Sequence, residues 1–411
     1  METSIIDIPG GVTAPAGFRA SGIHSGLRKN KLRRDLALIV ADCRCAAAGM
    51  FTTNKVFAAP VGVSRSHLAD GYAQAIICNS GNANACTADG YEKADLTCRV
   101  LAQHLGIKKE DVVVASTGVI GLPLPVETII NSIPELAGQL ACGVMASHAA
   151  ANAIMTTDTK PKEFACEFTL GGVKARIGAI CKGSGMIEPN MATMLGFITT
   201  DAAIEPHALR AALQSVVFDT FNMVSIDGDT STNDMVVILA SGKAGNKPIA
   251  APEGEDYEAF RAALLKICIS MAKAIASDGE GATKLLECTV RNYYNKEGAK
   301  KLAKSVIKSS LVKTAMFGAD ANWGRLMCAL GYAGVEFDPS KVDLKFKSKV
   351  GEISVCRNGC AIEVDEELAK EILSCDYIYI DVDCKCGDAS ATAWGCDLSY
   401  EYVRINGDYR S

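Results

Sequence analysis

The sequence predicts an α/β protein, with a larger α/β domain over residues 1–285 and a smaller C-terminal α+β domain over 286–411. Three observations lead there. Through the first part of the chain, short apolar runs bounded by Gly, Asn and Asp alternate with helical patterns, as strands and helices do when they are interleaved. A long amphipathic stretch follows, with Phe260, Leu264, Ile267, Met271 and Ile275 on one helical face. From 333 onward strand patterns crowd around a single helix.

Taken in order, LALIV (36–40) and VGV (61–63) have the pattern of strands, with Phe51-Thr52-Thr53-Asn54 in a turn between them. AQAIICN (73–79) is a buried strand, and the small-residue loop SGNANACTADG leads from it into a helix over 91–105. DVVVAS (111–116) is a strand that leaves the sheet at Thr117-Gly118, and a glycine directly after a strand end can aim backbone N–H groups into a cleft. Residues 125–155 are helical, with Pro134 breaking the run, and deliver Thr156-Thr157-Asp158 to the cleft. CEFTLGGVKARIGAICKG (166–183) is a hairpin turning at Gly171-Gly172 and ending at Lys182. Pro206 opens a helix to Phe218, MVVILA (235–240) is a strand, and 241–257 is a Gly- and Pro-rich loop before the helix over 255–276. Lys296–Lys313 reads as one surface helix and GADANWGR (318–325) as a turn. VDLKFKS, GEISVC, CAIEVD, DYIYIDVDC and YEYVRI are strands of the second domain, with a helix over 365–374.

Composition narrows the function. The 411 residues are 49% hydrophobic and 22% charged, the balance of a well-cored globular chain. A formal net charge of -5 provides no general field for nucleic acid, and the basic run Arg28, Lys29, Lys31, Arg33 and Arg34 reads as a solvated face. No apolar run reaches the roughly 18 residues of a membrane-crossing helix, and the N-terminus lacks the basic start and apolar core of a secretory signal. Neither nucleic acid nor membrane is expected as a partner, and the location is expected to be cytoplasmic. Seventeen cysteines, an odd number scattered from Cys43 to Cys396, point to reduced thiols used as small apolar residues. Cys384 and Cys386 with Cys375 and Cys396 leave a metal-binding protein as a third and weaker reading. Asp227, Asp229, Ser231 and Asn233 do not make a calcium loop, because Thr232 and Ile238 stand where that loop needs Gly and Glu. Gly183-Ser184-Gly185 lacks the lysine and hydroxyl of a phosphate loop. No cofactor or metal is expected.

The chemistry centres on residues 181–201, CKGSGMIEPNMATMLGFITTD. A threonine that becomes an N-terminus carries beside its hydroxyl an α-amine with a reference pKa of about 7.7–8.0, which can serve as general base at neutral pH. Ala192-Thr193 is a candidate for such a cut, with Thr193 Oγ attacking the carbonyl of Ala192. The bare residues equally suit the interior of a buried strand.

GSGMIEPNMATMLGFITTD resembles the autocleavage segment of the ornithine acetyltransferase family, also called glutamate N-acetyltransferase. FTTN (51–54), CNSGNANACTADG (78–90), STGVIG (116–121), AIMTTDTKPK (153–162), SIDGDTSTND (225–234), SDGEGATK (277–284), GADANWGR and YVRINGDYRS (402–411) resemble the same family, in its order. The resemblance implies a self-cleaving, N-terminal-nucleophile-type fold of the ornithine acetyltransferase/DmpA group, cut into an α chain (1–192) and a β chain (193–411) that assemble as α2β2. It implies Thr193 as nucleophile and base, Thr117 and Gly118 as the oxyanion hole, and Thr156, Lys182, Thr193, Glu280, Asn406 and Ser411 as substrate-binding residues. Gly407 and Ser411 depart from the alanine and threonine frequent in the family, and Ser411 keeps the hydroxyl. The implied substrates are N-acetylornithine and glutamate, with acetyl-CoA as a second donor in bifunctional members. The alternative is a self-cleaving amidase or aminopeptidase in which water resolves the acyl-enzyme.

Overall fold

In the computed structural model, residues 5–188 and 194–408 are described. In chain order the strands are β1 (Ile6–Asp7), β2 (Phe18–Ile23), β3 (Leu36–Phe51), β4 (Tyr72–Asn82), β5 (Val112–Val119), β6 (Lys162–Leu170), β7 (Val173–Lys182), β8 (Leu195–Thr200), β9 (Val224–Ser225), β10 (Met235–Ala240), β11 (Leu285–Tyr293), β12 (Asp343–Ser348), β13 (Gly351–Arg357), β14 (Cys360–Ala361), β15 (Tyr377–Asp383) and β16 (Ala389–Cys396). The helices are α1 (Ala59–His67), α2 (Gly90–Leu105), α3 (Val126–Gly138), α4 (Val144–Ile154), α5 (Pro206–Asp219), α6 (Glu255–Ser277), α7 (Lys296–Lys308), α8 (Ser310–Phe317), α9 (Trp323–Gly331), α10 (Glu366–Leu373) and α11 (Tyr400–Gly407). The mixed α/β class expected from the sequence is the class observed.

The chain divides into two compact units, the larger made of residues 1–183, 189–221 and 230–271, the smaller of 184–188, 222–229 and 272–411. A single boundary after 285 therefore does not describe it: two short segments around the sequence's central motif belong with the C-terminal part. Such exchanges carry no composition shift, which is why the sequence pattern conceals them.

Among the described residues the larger unit holds a nine-stranded sheet in the order β1-β6-β7-β8-β10-β3-β4-β5, with β2 also paired to β3. Both faces are buried. Along β3, Ala37, Ile39 and Ala41 enter one core with Ile76, Cys78 and α4's Ala150, Ala151 and Ile154. Their alternates Leu36, Leu38 and Val40 enter a second with Ile77, α2's Cys98 and Leu101, and α3's Ile129, Ile133 and Leu136. That two-residue alternation with no polar face explains why these strands read as continuous apolar runs. The smaller unit holds a seven-stranded sheet in the order β14-β13-β12-β15-β11-β16-β9. Helix α7 lies on it, burying Leu302, Ala303, Val306 and Ile307.

Several sequence readings change. VGV (61–63) lies in α1, whose start is marked by Pro60 at its first turn. Pro134 sits inside α3 rather than ending it, because Ile129, Ile133 and Leu136 are buried on either side of it. The helix expected over 296–313 is two: Ser309 ends α7 and its hydroxyl accepts the N–H of Val312 as the cap of α8. Lys313 is buried, its ammonium on the Cys396 carbonyl, so this stretch is not a plain surface helix. GADANWGR is a turn only as far as Asn322, which caps α9 by accepting the N–H of Arg325. YEYVRI is not a strand but α11, with Ser399 accepting the N–H of Glu401. At Ser309, Asn322 and Ser399 a hydroxyl or amide cap sets where the helix begins.

Gly22, on β2, lets the neighbouring helix approach: a Cβ there would stand 2.2 Å from the carbonyl oxygen of Ala149 in α4. Gly22→Ala is expected to cost about 1–3 kcal/mol by overpacking, measured as a lower denaturant midpoint for the larger unit.

Candidate active site

The parallel strands β4 and β5 end together, Ser80 opposite Thr117 and Gly81 opposite Gly118. At Gly118 φ is +136°, and a Cβ would stand 2.3 Å from the carbonyl carbon of Gly81 and 2.6 Å from the nitrogen of Asn82. No side chain fits there. Buried amides hold this exit: the Ser116 hydroxyl donates to Asn79 Oδ1 at 2.6 Å, and Asn233 Nδ2 donates to the carbonyls of Ala83 at 2.6 Å and Ser116 at 2.8 Å.

Lys182, the last residue of β7, is buried, and its Nζ donates to Thr117 Oγ1 at 3.3 Å. Burial lowers its pKa, with Lys162 acting in the same sense and Asp158 and Asp234 against it. Asp158 is the centre of this group. Its Oδ1 accepts from Lys162 Nζ at 2.6 Å and from the Gly183 N–H at 2.8 Å, and its Oδ2 accepts from the Thr156 N–H at 2.9 Å. Burial disfavours the charged carboxyl, but Lys182 and Lys162 outweigh it and hold Asp158 well below the usual carboxylate range. The basic run expected to be a solvated face contributes here: Arg28 donates to the carbonyl of Met155 at 2.6 Å and Arg33 to that of Thr156 at 2.8 Å. Lys29, Lys31 and Arg34 are exposed.

Strand β8 starts in the middle of the sheet. Leu195 pairs with Lys182 on one side and with Met235 on the other. The residue two positions before it is Thr193, which lies outside the described residues together with Ala192 and, at the other end of the chain, Ser411. The larger unit thus brings Thr117, Gly118, Thr156 and Lys182 together around Asp158.

Glu280 and Asn406 meet in the smaller unit. Asn406 Nδ2 donates to Glu280 Oε2 at 2.8 Å, and the Glu280 N–H donates to the Ser184 carbonyl at 2.8 Å. Gly185 makes room for the carboxyl, since a Cβ there would come within 2.4 Å of Glu280 Cδ. Helix α11, which carries Asn406, rests on Gly281, whose φ is +70° and whose Cβ would meet the Tyr402 nitrogen at 2.5 Å. Tyr402 reaches Asp227 Oδ2 at 3.3 Å, and burial first, then Asp227, pushes its pKa up. Asp227 in turn accepts the N–H groups of Met186 at 2.6 Å and Ile187 at 2.7 Å, so the acidic segment that imitates a calcium loop is a backbone clamp.

The cysteines are free thiols. Burial pushes Cys181, beside Lys182 in sequence, up to about 12, which leaves it protonated and unreactive. Among the described residues no group of three or more His, Cys, Asp or Glu is placed to hold a metal ion. No helix among them is long and apolar enough to cross a membrane. The FTTN motif lines a separate cavity of about 860 Å³ with Arg65, His207 and Arg210.

The model of the ArgJ family matches residues 19–411. The chain belongs to the ArgJ family. It is 51% identical over 395 residues to the arginine biosynthesis bifunctional protein ArgJ 1 of Clostridium acetobutylicum, covering 96% of both chains. It is 49% identical over 406 residues to the arginine biosynthesis bifunctional protein ArgJ of Symbiobacterium thermophilum, covering 98% of this chain and 99% of that one. A solved chain of the Bacillus halodurans ArgJ protein is 45% identical, with a TM-score of 0.49, and covers 51% of this chain and 97% of its own. The ornithine acetyltransferase of Mycobacterium tuberculosis, solved with ornithine, is 36% identical with a TM-score of 0.43, covering 46% of this chain and 100% of its own. The family named by the sequence motifs and the family matched by the model agree, which places the chain in an acyltransferase family of arginine biosynthesis.

Sequence reasoning missed Lys162 and the role of Asp158. The available signal was the i, i+4 spacing of Asp158 and Lys162 within TTDTKPK, which in an extended stretch signals nothing by itself. Asp158 has its folded pKa below the free value of 3.8, so the unfolded chain binds the extra proton as pH falls. Its contribution is full above about pH 4 and is lost below it. Asp158→Asn is expected to cost about 3–5 kcal/mol at pH 7 by removing one partner of a buried ion pair, and to flatten the loss of stability between pH 5 and 3, seen in denaturant midpoints across about that range.

Proposed function

We propose that the protein is a glutamate N-acetyltransferase that moves the acetyl group of N2-acetyl-L-ornithine to L-glutamate through an acetyl-Thr193 ester, after cutting itself between Ala192 and Thr193. The observation that carries this is the pairing of a buried ammonium, Lys182, with the Thr117 hydroxyl at the glycine turn of Gly118. An ammonium has three donors, and among the described residues Lys182 donates to Thr117. A substrate carboxylate suits a buried ammonium, and Lys182 and Lys162 both bear on Asp158 in this cluster.

In the first half-reaction Thr193 Oγ adds to the acetyl carbonyl while the α-amine of Thr193 takes its proton. The Thr117 hydroxyl and the Gly118 N–H hold the oxyanion; such donors are each worth about 10²–10³ in rate. The carbon–nitrogen bond breaks, the departing ornithine amine takes the proton from the α-ammonium, and the acetyl ester remains. In the second half the glutamate amine attacks the ester, its proton returns to Thr193 Oγ through the same amine, and N-acetylglutamate leaves. Thr156 and Ser411 supply hydroxyls to the substrate, and Glu280, steadied by Asn406, has the charge to take a substrate ammonium. Acetyl-CoA is a second acetyl donor, no cofactor is needed, and the mature protein is an α2β2 assembly in the cytoplasm.

Intact mass under denaturing conditions is the first test. Wild-type protein is expected to show two chains split before Thr193, and Thr193→Ala one uncut chain with no acetyl transfer. Cutting in the Thr193→Ala variant would remove the nucleophile. Acetate released from acetylornithine faster than glutamate is acetylated would identify an amidase instead.

A further inference from the structure

Helix α4 ends at Ile154 with no basic residue in its last turn to offset the carbonyls it leaves open. The cation comes from 127 residues earlier in the chain: Arg28 Nη2 donates at 2.6 Å to the carbonyl of Met155, the residue that caps α4. Arg28 is held for this along its length. Its N–H donates to Asp35 Oδ2 at 3.0 Å, and the buried Asp35 side chain also takes the N–H and hydroxyl of Ser25. Its stem crosses Gly81 near the end of β4, where φ is +99° and a Cβ would stand 3.1 Å from Arg28 Cγ. Two further bonds fasten the same segments, the Ser80 N–H donating to the Asp35 carbonyl at 2.9 Å and the Ser80 hydroxyl to that of Ala153 at 2.7 Å.

The carbonyl that Arg28 takes is followed at once by Thr156, whose main chain is gripped on both polar groups: its N–H by Asp158 Oδ2 at 2.9 Å and its carbonyl by Arg33 Nη1 at 2.8 Å. The hydroxyl is held much less. It stands 3.5 Å from Asp158 Oδ2, at the outer limit of a hydrogen bond, and so is open to a ligand. A main chain fixed at N–H and carbonyl, with the hydroxyl left loose, sets the direction of a ligand contact from behind.

We propose that Arg28 is a positioning residue for substrate: by holding the Met155 carbonyl it sets where Thr156 presents its hydroxyl beside Asp158. The proposal rests on the reading of the site as one for acetyl transfer, in which Thr156 meets the substrate. A guanidinium suits the task because its charge is permanent and its planar fork loses little freedom per bond formed. The mark of such a role is in substrate binding more than in the chemical step, and so in KM more than in kcat.

The test uses the full-length protein with Arg28→Met, Arg28→Lys and Arg33→Met, read by kcat and KM for transfer from acetylornithine to glutamate and by denaturant midpoint. Arg28→Met keeps a stem over Gly81 and removes the donor; it is expected to raise KM for acetylornithine on the order of 10-fold, the scale of one charge-assisted hydrogen bond, with kcat within about twofold of wild type. Arg28→Lys restores a donor and is expected to recover most of that loss. An Arg28→Met variant with the KM of wild type overturns the proposal. So does an Arg28→Lys variant as impaired as Arg28→Met, and so does a fall in kcat and midpoint with KM unchanged, which is the mark of a merely structural role. If Arg28→Met does not fold, Arg33→Met, at an exposed position, decides: a several-fold rise in KM supports the proposal and a wild-type KM overturns it. Wild-type protein that transfers no acetyl group would remove the reading of the site itself, a failure distinct from that of Arg28.

Discussion

The larger unit depends on placing Asp158, Lys162 and Lys182 together where water does not reach. Alone, any of these charges would be costly to bury. Together, Asp158 is satisfied by Lys162 and by two backbone N–H groups, and it is this carboxylate that lets Lys182 stay at the end of β7. Because Asp158 bonds the N–H groups of both Thr156 and Gly183, the same carboxylate fixes the end of the α4 segment and the last turn of chain before the central motif. Electrostatics and backbone placement are thus one constraint.

Close backbone approach is the second constraint, and glycines supply it. Gly118 and Gly81 let β4 and β5 end in contact, so the Thr117 hydroxyl faces Lys182 instead of being held off by a side chain at 118. In the smaller unit Gly185 and Gly281 do the same for Glu280 and for the helix carrying Asn406. In both units close main-chain approach at glycine sets where these polar groups sit.

Most of the cysteines are placed as packing residues. Cys45, Cys78, Cys98, Cys181, Cys268 and Cys288 are buried and carry thiols raised by burial, as small apolar residues do. Cys45 and Cys78 enter one core of the nine-stranded sheet and Cys98 the other. The acidic stretch at 227–234 is a contrasting case: Asp227 clamps backbone, whereas Asp234 is buried and its carboxyl is pushed above the ordinary range by that burial, so two aspartates of one motif sit in unlike settings.

By itself the sequence determined the mixed α/β class, most strands of the first sheet, the hairpin through Gly171-Gly172 and the family, because alternation and contiguous motifs are local and survive without coordinates. It also named Thr117, Gly118, Thr156, Lys182, Glu280 and Asn406, each carried by such a motif. Only the tertiary structure decided that 184–188 and 222–229 belong with the C-terminal unit, that YEYVRI is a helix, and that Lys162 and Asp234 lie beside the buried Lys182. The physical reason is range. Caps at Ser309, Asn322 and Ser399 compete with β-propensity by a single hydrogen bond, and a buried ion group is assembled from strands and loops far apart in the chain, so neither leaves a periodic mark in the order of residues.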